Sequence, residues 1–249
     1  MSTKKVFGLI GKNISYSFSA EYFAKKFSKQ KLENCSYQNF DIDDIKELKN
    51  IIANTSNLKG LNVTIPYKEE VIPLLDSISK KAKKIGAVNT IAFYDNKLKG
   101  YNTDHYGFKH SLKPLLYPYH KKALILGTGG ASKAVAFALR KLSIEYNFVS
   151  RNGKDNIFTY NELNEQVFKE YQIIINTTPL GTYPNVEALP PLNYNLFTKK
   201  HIAFDLVYNP EETAFLKAAK ANGAVIKNGY DMLVYQAEKA WSIWNREYK

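Results

Sequence analysis

The chain has 249 residues, 45% of them hydrophobic, a net charge of +12 and a single cysteine, Cys35. That length and apolar content suit one large domain or two ordinary ones, and one cysteine excludes an intramolecular disulfide or a cysteine-rich metal site. No stretch approaches the roughly 18 apolar residues of a membrane-spanning helix, and the apolar run 6–10 is too short for a secretory signal, so a cytoplasmic location is expected.

The first half alternates strands and helices. Residues 6–10 read as a strand, and Ser19 is placed to cap a helix over 20–29 with Tyr22, Phe23 and Phe27 on one face. A second strand follows over 36–42. Asp43 or Asp44 then caps a helix with Ile45, Leu48, Ile51 and Ile52 at helical spacing. Residues 58–65 read as a strand stopped by Pro66, residues 68–75 and 80–85 as helices, and 88–94 with 97–101 as a hairpin around Asp95-Asn96. A crossing helix over about 105–113 leads out of this α/β region.

The middle of the chain carries the most specific local pattern. A short apolar strand over 123–126 runs into Gly127, Gly129 and Gly130, an alanine-rich helix follows, and a second strand ends at Arg151. Glycines let a backbone approach a pyrophosphate, and a new helix presents unpaired N–H groups and a partial positive charge to it. Ser132 stands where the third glycine of G-x-G-x-x-G would be. The strand–turn–helix–strand context makes this a nucleotide cradle rather than a bare glycine turn. An NAD site places an acid after the second strand to hold the ribose 2′-OH. Here Ser150-Arg151-Asn152 contains none, and Arg151 is one of only three arginines. A planar, permanently charged guanidinium suits a 2′-phosphate, which points to NADP(H); a solvated turn arginine is the alternative. Lys154 is a further candidate.

Later strands are expected over 172–176, 201–206 and 225–226, with a helix over 211–221. A last helix over 232–245 carries Leu233, Val234, Ala237, Ala240, Trp241 and Trp244 at core spacing and should return to the first domain. The lysines are spread along the chain in pairs, with no basic arm or nucleic-acid motif, so a solvated surface that attracts small anions is expected and nucleic acid is not a partner. The four histidines are scattered, without metal spacing.

A dinucleotide domain beside a second domain implies a ligand cleft. The polar candidates are Ser17, Ser19, Asn62, Thr64, Lys68, Asn89, Thr90, Asn102 and Asp104. Taken alone, Lys68 reads more readily as an exposed helix-start lysine and Asp104 as an N-cap than as catalytic groups. The blocks in which these residues stand resemble the shikimate dehydrogenase family. They are Gly11-x-x-Ile14-x-Tyr16-Ser17-Phe18-Ser19, Asn62-Val63-Thr64-Ile65-Pro66-Tyr67-Lys68-Glu69, Gly86-Ala87-Val88-Asn89-Thr90 and Gly100-x-Asn102-Thr103-Asp104. The glycine cradle follows, then Asn176-Thr177-Thr178-Pro179-x-Gly181, Asp205-x-x-Tyr208 and Gly229-x-x-Met232-Leu233-Val234-x-Gln236. The chain departs from the family pattern at Tyr16, where His is usual, and at Asn13, Ala20, Ser150, Asn152 and Asp231.

The resemblance implies reversible NADP-dependent oxidation of shikimate to 3-dehydroshikimate, a step toward chorismate and the aromatic amino acids. It implies Lys68 and Asp104 as the catalytic pair. Ser17, Ser19 and Tyr208 would donate to the substrate carboxylate, and Thr64, Asn89 and Gln236 would meet the ring hydroxyls. The cofactor would be held by Gly127, Gly129, Gly130, Ala131, Ser132, Ser150, Arg151 and Gly229, and no metal is implied. The expected fold is α/β: an N-terminal α/β substrate domain (1–104 with 229–249), a Rossmann-like dinucleotide domain (105–228), and a C-terminal helix packing back on the first. Alternatives are a quinate/shikimate enzyme with relaxed cofactor use, a non-catalytic shikimate binder, or a basic nucleic-acid-binding protein on this fold.

Overall fold

The structure, a computed structural model, describes residues 4–14, 17–95, 97–153 and 156–246. It divides into two units, 1–103 with 237–249, and 104–236.

In the first unit, β1 (Lys5–Gly11) and α1 (Phe18–Lys29) lead to β2 (Cys35–Asp41) and α2 (Leu48–Asn54). Then come β3 (Leu58–Val63), β4 (Ser77–Ile78), α3 (Lys80–Ile85), β5 (Thr90–Tyr94) and β6 (Lys97–Tyr101). The strands form one mixed sheet in the order β2-β1-β3-β5-β6-β4. β1 runs parallel to β2 and β3, β5 is antiparallel to β3 and β6, and β4 is parallel to β6.

Each face of this sheet has its own core, because alternate residues of a strand point to opposite sides. Ile10, Leu61, Val63 and Ile91 pack with Ile45, Leu48, Val71 and Ala82 on one side. On the other, Phe7 and Ala92 pack with Phe23 and Phe27 of α1 and with Ala237, Ala240 and Trp244 from the C-terminal helix α8 (Tyr230–Arg246). The expected return of the last helix is therefore found. The buried Trp244 indole N–H donates to the Ile91 carbonyl at 2.9 Å, which satisfies its one polar atom.

Local differences from the sequence reading have physical causes. Ser17, not Ser19, caps α1: its hydroxyl accepts from the Ala20 N–H at 3.4 Å, and Phe18 is already helical, stacked on Tyr22 one turn on. The segment 68–75 is not an α-helix. It is a run of turns ending in a 3₁₀ turn at Ile72–Leu74, because Pro73 lacks the N–H that a continuing helix requires. β3 ends at Val63, two residues before the expected stop.

The second unit holds α4 (Asp104–Leu112), β7 (Lys122–Leu126), α5 (Gly130–Arg140), β8 (Glu145–Ser150), β9 (Ile157–Thr159) and α6 (Glu165–Glu170). It continues with β10 (Ile173–Asn176), β11 (Ile202–Asp205), α7 (Ala214–Ala221) and β12 (Val225–Lys227), and takes in the start of α8. Its sheet is parallel throughout, in the order β12-β11-β10-β7-β8-β9. Counted from β7, this is the 3-2-1-4-5-6 order of a doubly wound dinucleotide fold, whose switch point lies between β7 and β10. Both faces are covered, so the central strands are apolar along their middles, with polar residues only at their ends, Lys122, Asn176 and Asp205. Ala123, Ile125, Ile173 and Ile175 face α4 and α5, while Leu124, Leu126 and Ile174 face α6 and α7.

Two buried histidines brace the N-terminal edge of this sheet as neutral rings. His120 Nδ1 accepts from the Tyr117 N–H at 2.9 Å, so Nε2 donates to the Lys200 carbonyl at 3.0 Å. His201 Nδ1 accepts from the Thr198 N–H at 3.0 Å, and Nε2 donates to the Phe168 carbonyl at 2.9 Å. Burial holds both pKa values below the ordinary 6.5. Below that pH the unfolded chain binds more protons than the folded one. The stability these rings contribute is therefore complete above about 6.5 and lost as pH falls further. Denaturant midpoints measured between pH 7.5 and 5 should fall for the wild type, and fall less for a His120→Asn/His201→Asn double variant.

Candidate active site

Strand direction gathers the polar candidates of the first unit at one sheet edge. β1, β3 and β6 all end there, and the antiparallel β5 begins there. The segments after β1 (Ser17, Ser19), after β3 (Thr64, Lys68), before β5 (Asn89) and after β6 (Asn102, Thr103) therefore lie along the same edge. Backbone bonds lock them side by side: Val63 N–H to the Asn89 carbonyl, Asn89 N–H to Tyr101, and Val88 N–H to Lys68. The turn that carries Lys68 is further pinned by the buried Tyr67, whose phenol donates to the Ile42 carbonyl at 2.8 Å.

A continuous polar chain runs along this edge. Burial pushes the Tyr37 phenol up, and the nearby Ser19 hydroxyl opposes that rise. Tyr37 donates to Asn62 Oδ1 at 2.8 Å, and Asn62 Nδ2 donates to the Asn89 carbonyl and to Thr90 Oγ1. Asn89 Oδ1 accepts from the Thr103 N–H at 2.6 Å, while its Nδ2 donates to Thr103 Oγ1 at 3.0 Å. The next residue, Asp104, opens α4 as its first residue and is buried. Asp104 is thus a first-turn helix residue and not the N-cap. Lys68 and Thr64 are half-buried. Sequence reasoning missed Tyr37 and Thr103 as members of this chain; no local motif marks a tyrosine mid-strand, and only its pairing with Asn62 exposes the role. It missed Asp41 too, whose carboxylate accepts the Asn13 and Ile14 N–H groups and anchors the loop after β1.

In the second unit the parallel strands bring a second set of residues to the C-terminal edge. There Leu126 passes into Gly127, Ser150 into Arg151, Asn176 into Thr177, and Asp205 into the segment bearing Tyr208. Gly127 has φ +101°, a left-handed conformation that favours glycine, and a side chain there would press on Thr177 and Thr178 across the switch point. Gly129 is different. It is the N-cap of α5 in an ordinary extended conformation, φ −75°, and a Cβ there would meet nothing within 4 Å. Neither backbone strain nor internal packing requires a glycine at that position, and its place as N-cap is one that glycine commonly takes.

The first turn of α5 has no acidic residue and its N-cap has no side chain to accept the leading N–H groups; the Ser132 N–H turns back to the Gly129 carbonyl at 3.0 Å, and those of Gly130 and Ala131 have no side-chain cap. Gly130 starts the helix and Ala131 is half-buried. Ser132 is fully buried, with its hydroxyl donating to the Gly129 carbonyl at 2.6 Å, so it serves close helix packing as a third glycine would. Ser150 Oγ accepts from the Asn152 N–H, and Arg151 is exposed, near enough to the Tyr160 phenol to oppose its burial shift. Gly229 packs backbone on backbone, its N–H donating to Val207 at 3.0 Å, and a side chain there would collide with the Leu206 carbonyl. Gln236 on α8 is buried and donates to the Leu233 carbonyl; Tyr208 is half-buried. Tyr16 and Lys154 lie outside the described residues.

A cavity of about 760 Å³ opens at the opposite, N-terminal edge of the same sheet, among Phe168, Gln172, Leu196 and His201. None of the candidate residues lines it.

Comparison with known proteins agrees with this geometry. A sequence model of the shikimate dehydrogenase substrate binding domain matches residues 9–91. The shikimate dehydrogenase (NADP(+)) of Clostridium beijerinckii is 42% identical over 96% of this chain and 91% of its own. The chain belongs to the shikimate dehydrogenase family. The crystal structure of shikimate dehydrogenase from Aquifex aeolicus superposes with a TM-score of 0.85 at 38% identity, covering 97% of this chain and 92% of that one. Shikimate 5-dehydrogenase from Thermus thermophilus, solved in complex with NADP(H) and shikimate, superposes at 0.84 with 32% identity over 96% and 93%. Shikimate dehydrogenases are oxidoreductases acting on a CH–OH group, and the two-sheet architecture found here is theirs. Among the described residues no helix is long and apolar enough to cross a membrane.

Proposed function

We propose that this chain catalyses the reversible NADP-dependent reduction of 3-dehydroshikimate to shikimate, with residues 1–104 and 229–249 serving the substrate and 105–228 the cofactor. The observation that carries the cofactor assignment is Gly129, where the fold leaves open space for the close approach of an external group, at the head of a helix with no side-chain cap. Arg151, exposed after β8 with no acid beside it, supports the choice of NADP over NAD.

When bound, the nicotinamide supplies or accepts the hydride. The protein's work is to hold the substrate and to manage one proton at the C3 oxygen. The Lys68 amine and the Asp104 carboxylate serve that proton: one hydrogen-bonds the reacting oxygen while the other keeps the pair in the productive protonation state. Thr64, Asn89 and Gln236 meet the ring hydroxyls. Asn89 is suited to this because Thr103 holds its side chain in one orientation. Ser17, Ser19 and Tyr208 donate to the carboxylate. A polyol read this way is specified sharply, since each buried donor left unpaired costs about 1–3 kcal/mol. The half-exposed free Cys35 fits a reducing compartment, the cytoplasm.

The test is NADPH oxidation on addition of 3-dehydroshikimate, followed by the loss of nicotinamide absorbance. Turnover is expected, with NADPH preferred to NADH. Tight shikimate binding without turnover would make the chain a ligand sensor instead.

A further inference from the structure

We infer that Asp205 is a positioning residue for the dinucleotide, acting through Asn176 on the loop after β10 and through its own backbone contact on the loop after β11. This rests on the dehydrogenase reading above and adds a residue to it.

Asp205 closes β11 and is fully buried, as are its side-chain partners Asn176 and Thr213. Its two oxygens are both used. Oδ1 accepts from Asn176 Nδ2 and from the Val207 N–H, each at 3.0 Å, and Oδ2 accepts from Thr213 Oγ1 at 2.6 Å. Asn176 passes the constraint on: its Oδ1 accepts from the Thr178 N–H at 3.0 Å and from Thr178 Oγ1 at 2.6 Å. Thr178 and Thr177 are the residues against which Gly127 closes, and Thr177 is tied to β7 through the Leu126 carbonyl. One carboxylate therefore holds both loops of the second mononucleotide half at the switch point, where doubly wound folds seat the dinucleotide.

Ionisation is what makes the arrangement work. A carboxylate is acceptor-only and matches three converging donors; once protonated, the acid must reverse its bond with the rotatable Thr213 hydroxyl or give up one of the N–H donors, and in either case the charge that strengthens all three bonds is gone. Burial raises the Asp205 pKa to about 6, with the bonds from Thr213, Val207 and Asn176 opposing that rise. The titratable group facing it is the Tyr194 phenol, which burial and the Asp205 charge push up, so that it stays neutral. Asn176, Thr213 and Val207 contribute uncharged donors.

The experiment compares wild type with Asp205→Asn, an isostere without the charge. It measures NADPH dissociation constants from pH 5 to 8, and amide hydrogen exchange over 176–182 and 206–209. The expected ratio of variant to wild-type dissociation constant is about tenfold at pH 8. It shrinks toward one near pH 5, where the wild-type carboxyl is itself neutral. Protonation of the ligand's phosphates cancels in that ratio. Exchange at Thr178 and Val207 should rise in the variant at pH 8. A pH-independent ratio, or faster exchange with unchanged affinity, would overturn the inference. Thr178→Val keeps the carboxylate and loosens only the loop; should Asp205→Asn not fold, it must weaken NADPH severalfold and raise exchange over 176–182, and wild-type behaviour would sink the idea. If the wild type fails to bind NADPH, the dehydrogenase reading falls. Exchange alone then decides whether Asp205 holds the loops.

Discussion

Replacing Lys68 by alanine lowers kcat by about 10²–10⁴, the range for losing acid–base assistance, and leaves KM nearly unchanged. The fold should tolerate the change. A backbone contact at this position survives the change, since the Lys68 carbonyl accepts from the Val88 N–H at 2.7 Å, and the turn is also held by Tyr67. Steady-state kinetics with 3-dehydroshikimate and NADPH decide the matter, with an unchanged melting temperature as control. A large rise in KM at constant kcat would move Lys68 from proton handling to substrate binding. Asp104 gives a less clean test, because it is buried at the start of α4 and its loss would touch the helix as well.

Replacing Arg151 by alanine weakens NADPH by ~1.5–3 kcal/mol, the worth of hydrogen bonds to a charged group, which is roughly tenfold or more in affinity. NADH, lacking the 2′-phosphate, should bind as before. The residue is exposed after β8, so truncation removes a ligand contact without opening the core. Calorimetric titration of both cofactors against wild type and variant reads the effect directly. Equal losses for NADPH and NADH, or none, would remove Arg151 from its role. Together the two variants separate the chemistry from cofactor choice, since one should change kcat alone and the other NADPH affinity alone.

Much of the fold was legible because its signals are local. The strands β7 and β10 carry unbroken apolar runs over 123–126 and 173–175, α5 is alanine-rich and starts at a glycine, and β5 and β6 follow one another closely as an antiparallel pair. The elements not anticipated are short. β4 has two residues, β9 three, and α6 is a six-residue helix with one buried side chain, Phe168. Segments of this size bury too little to leave a periodic trace, and they form because a sheet edge or a core is already there to receive them. The turns over 68–75 misled for the opposite reason. Val71, Leu74 and Leu75 have helical spacing, but Pro73 within them withholds a donor and the chain tightens into a 3₁₀ turn.

For the site, the chain's order of residues alone pointed to the glycine cradle, the absence of an acid after β8, and Arg151, because each depends on neighbours a few positions apart. It also pointed to Lys68 and Asp104 through resemblance. Tertiary structure alone decided that Tyr37, Asn62, Asn89 and Thr103 form one hydrogen-bonded line. It alone decided that Gly129 has open space where Gly229 has none, and that Asp205 governs Thr178 through Asn176. These relations join residues up to tens of positions apart through strand order and register. Both are set by which faces can be buried together, a property of the whole packed sheet that no single segment carries.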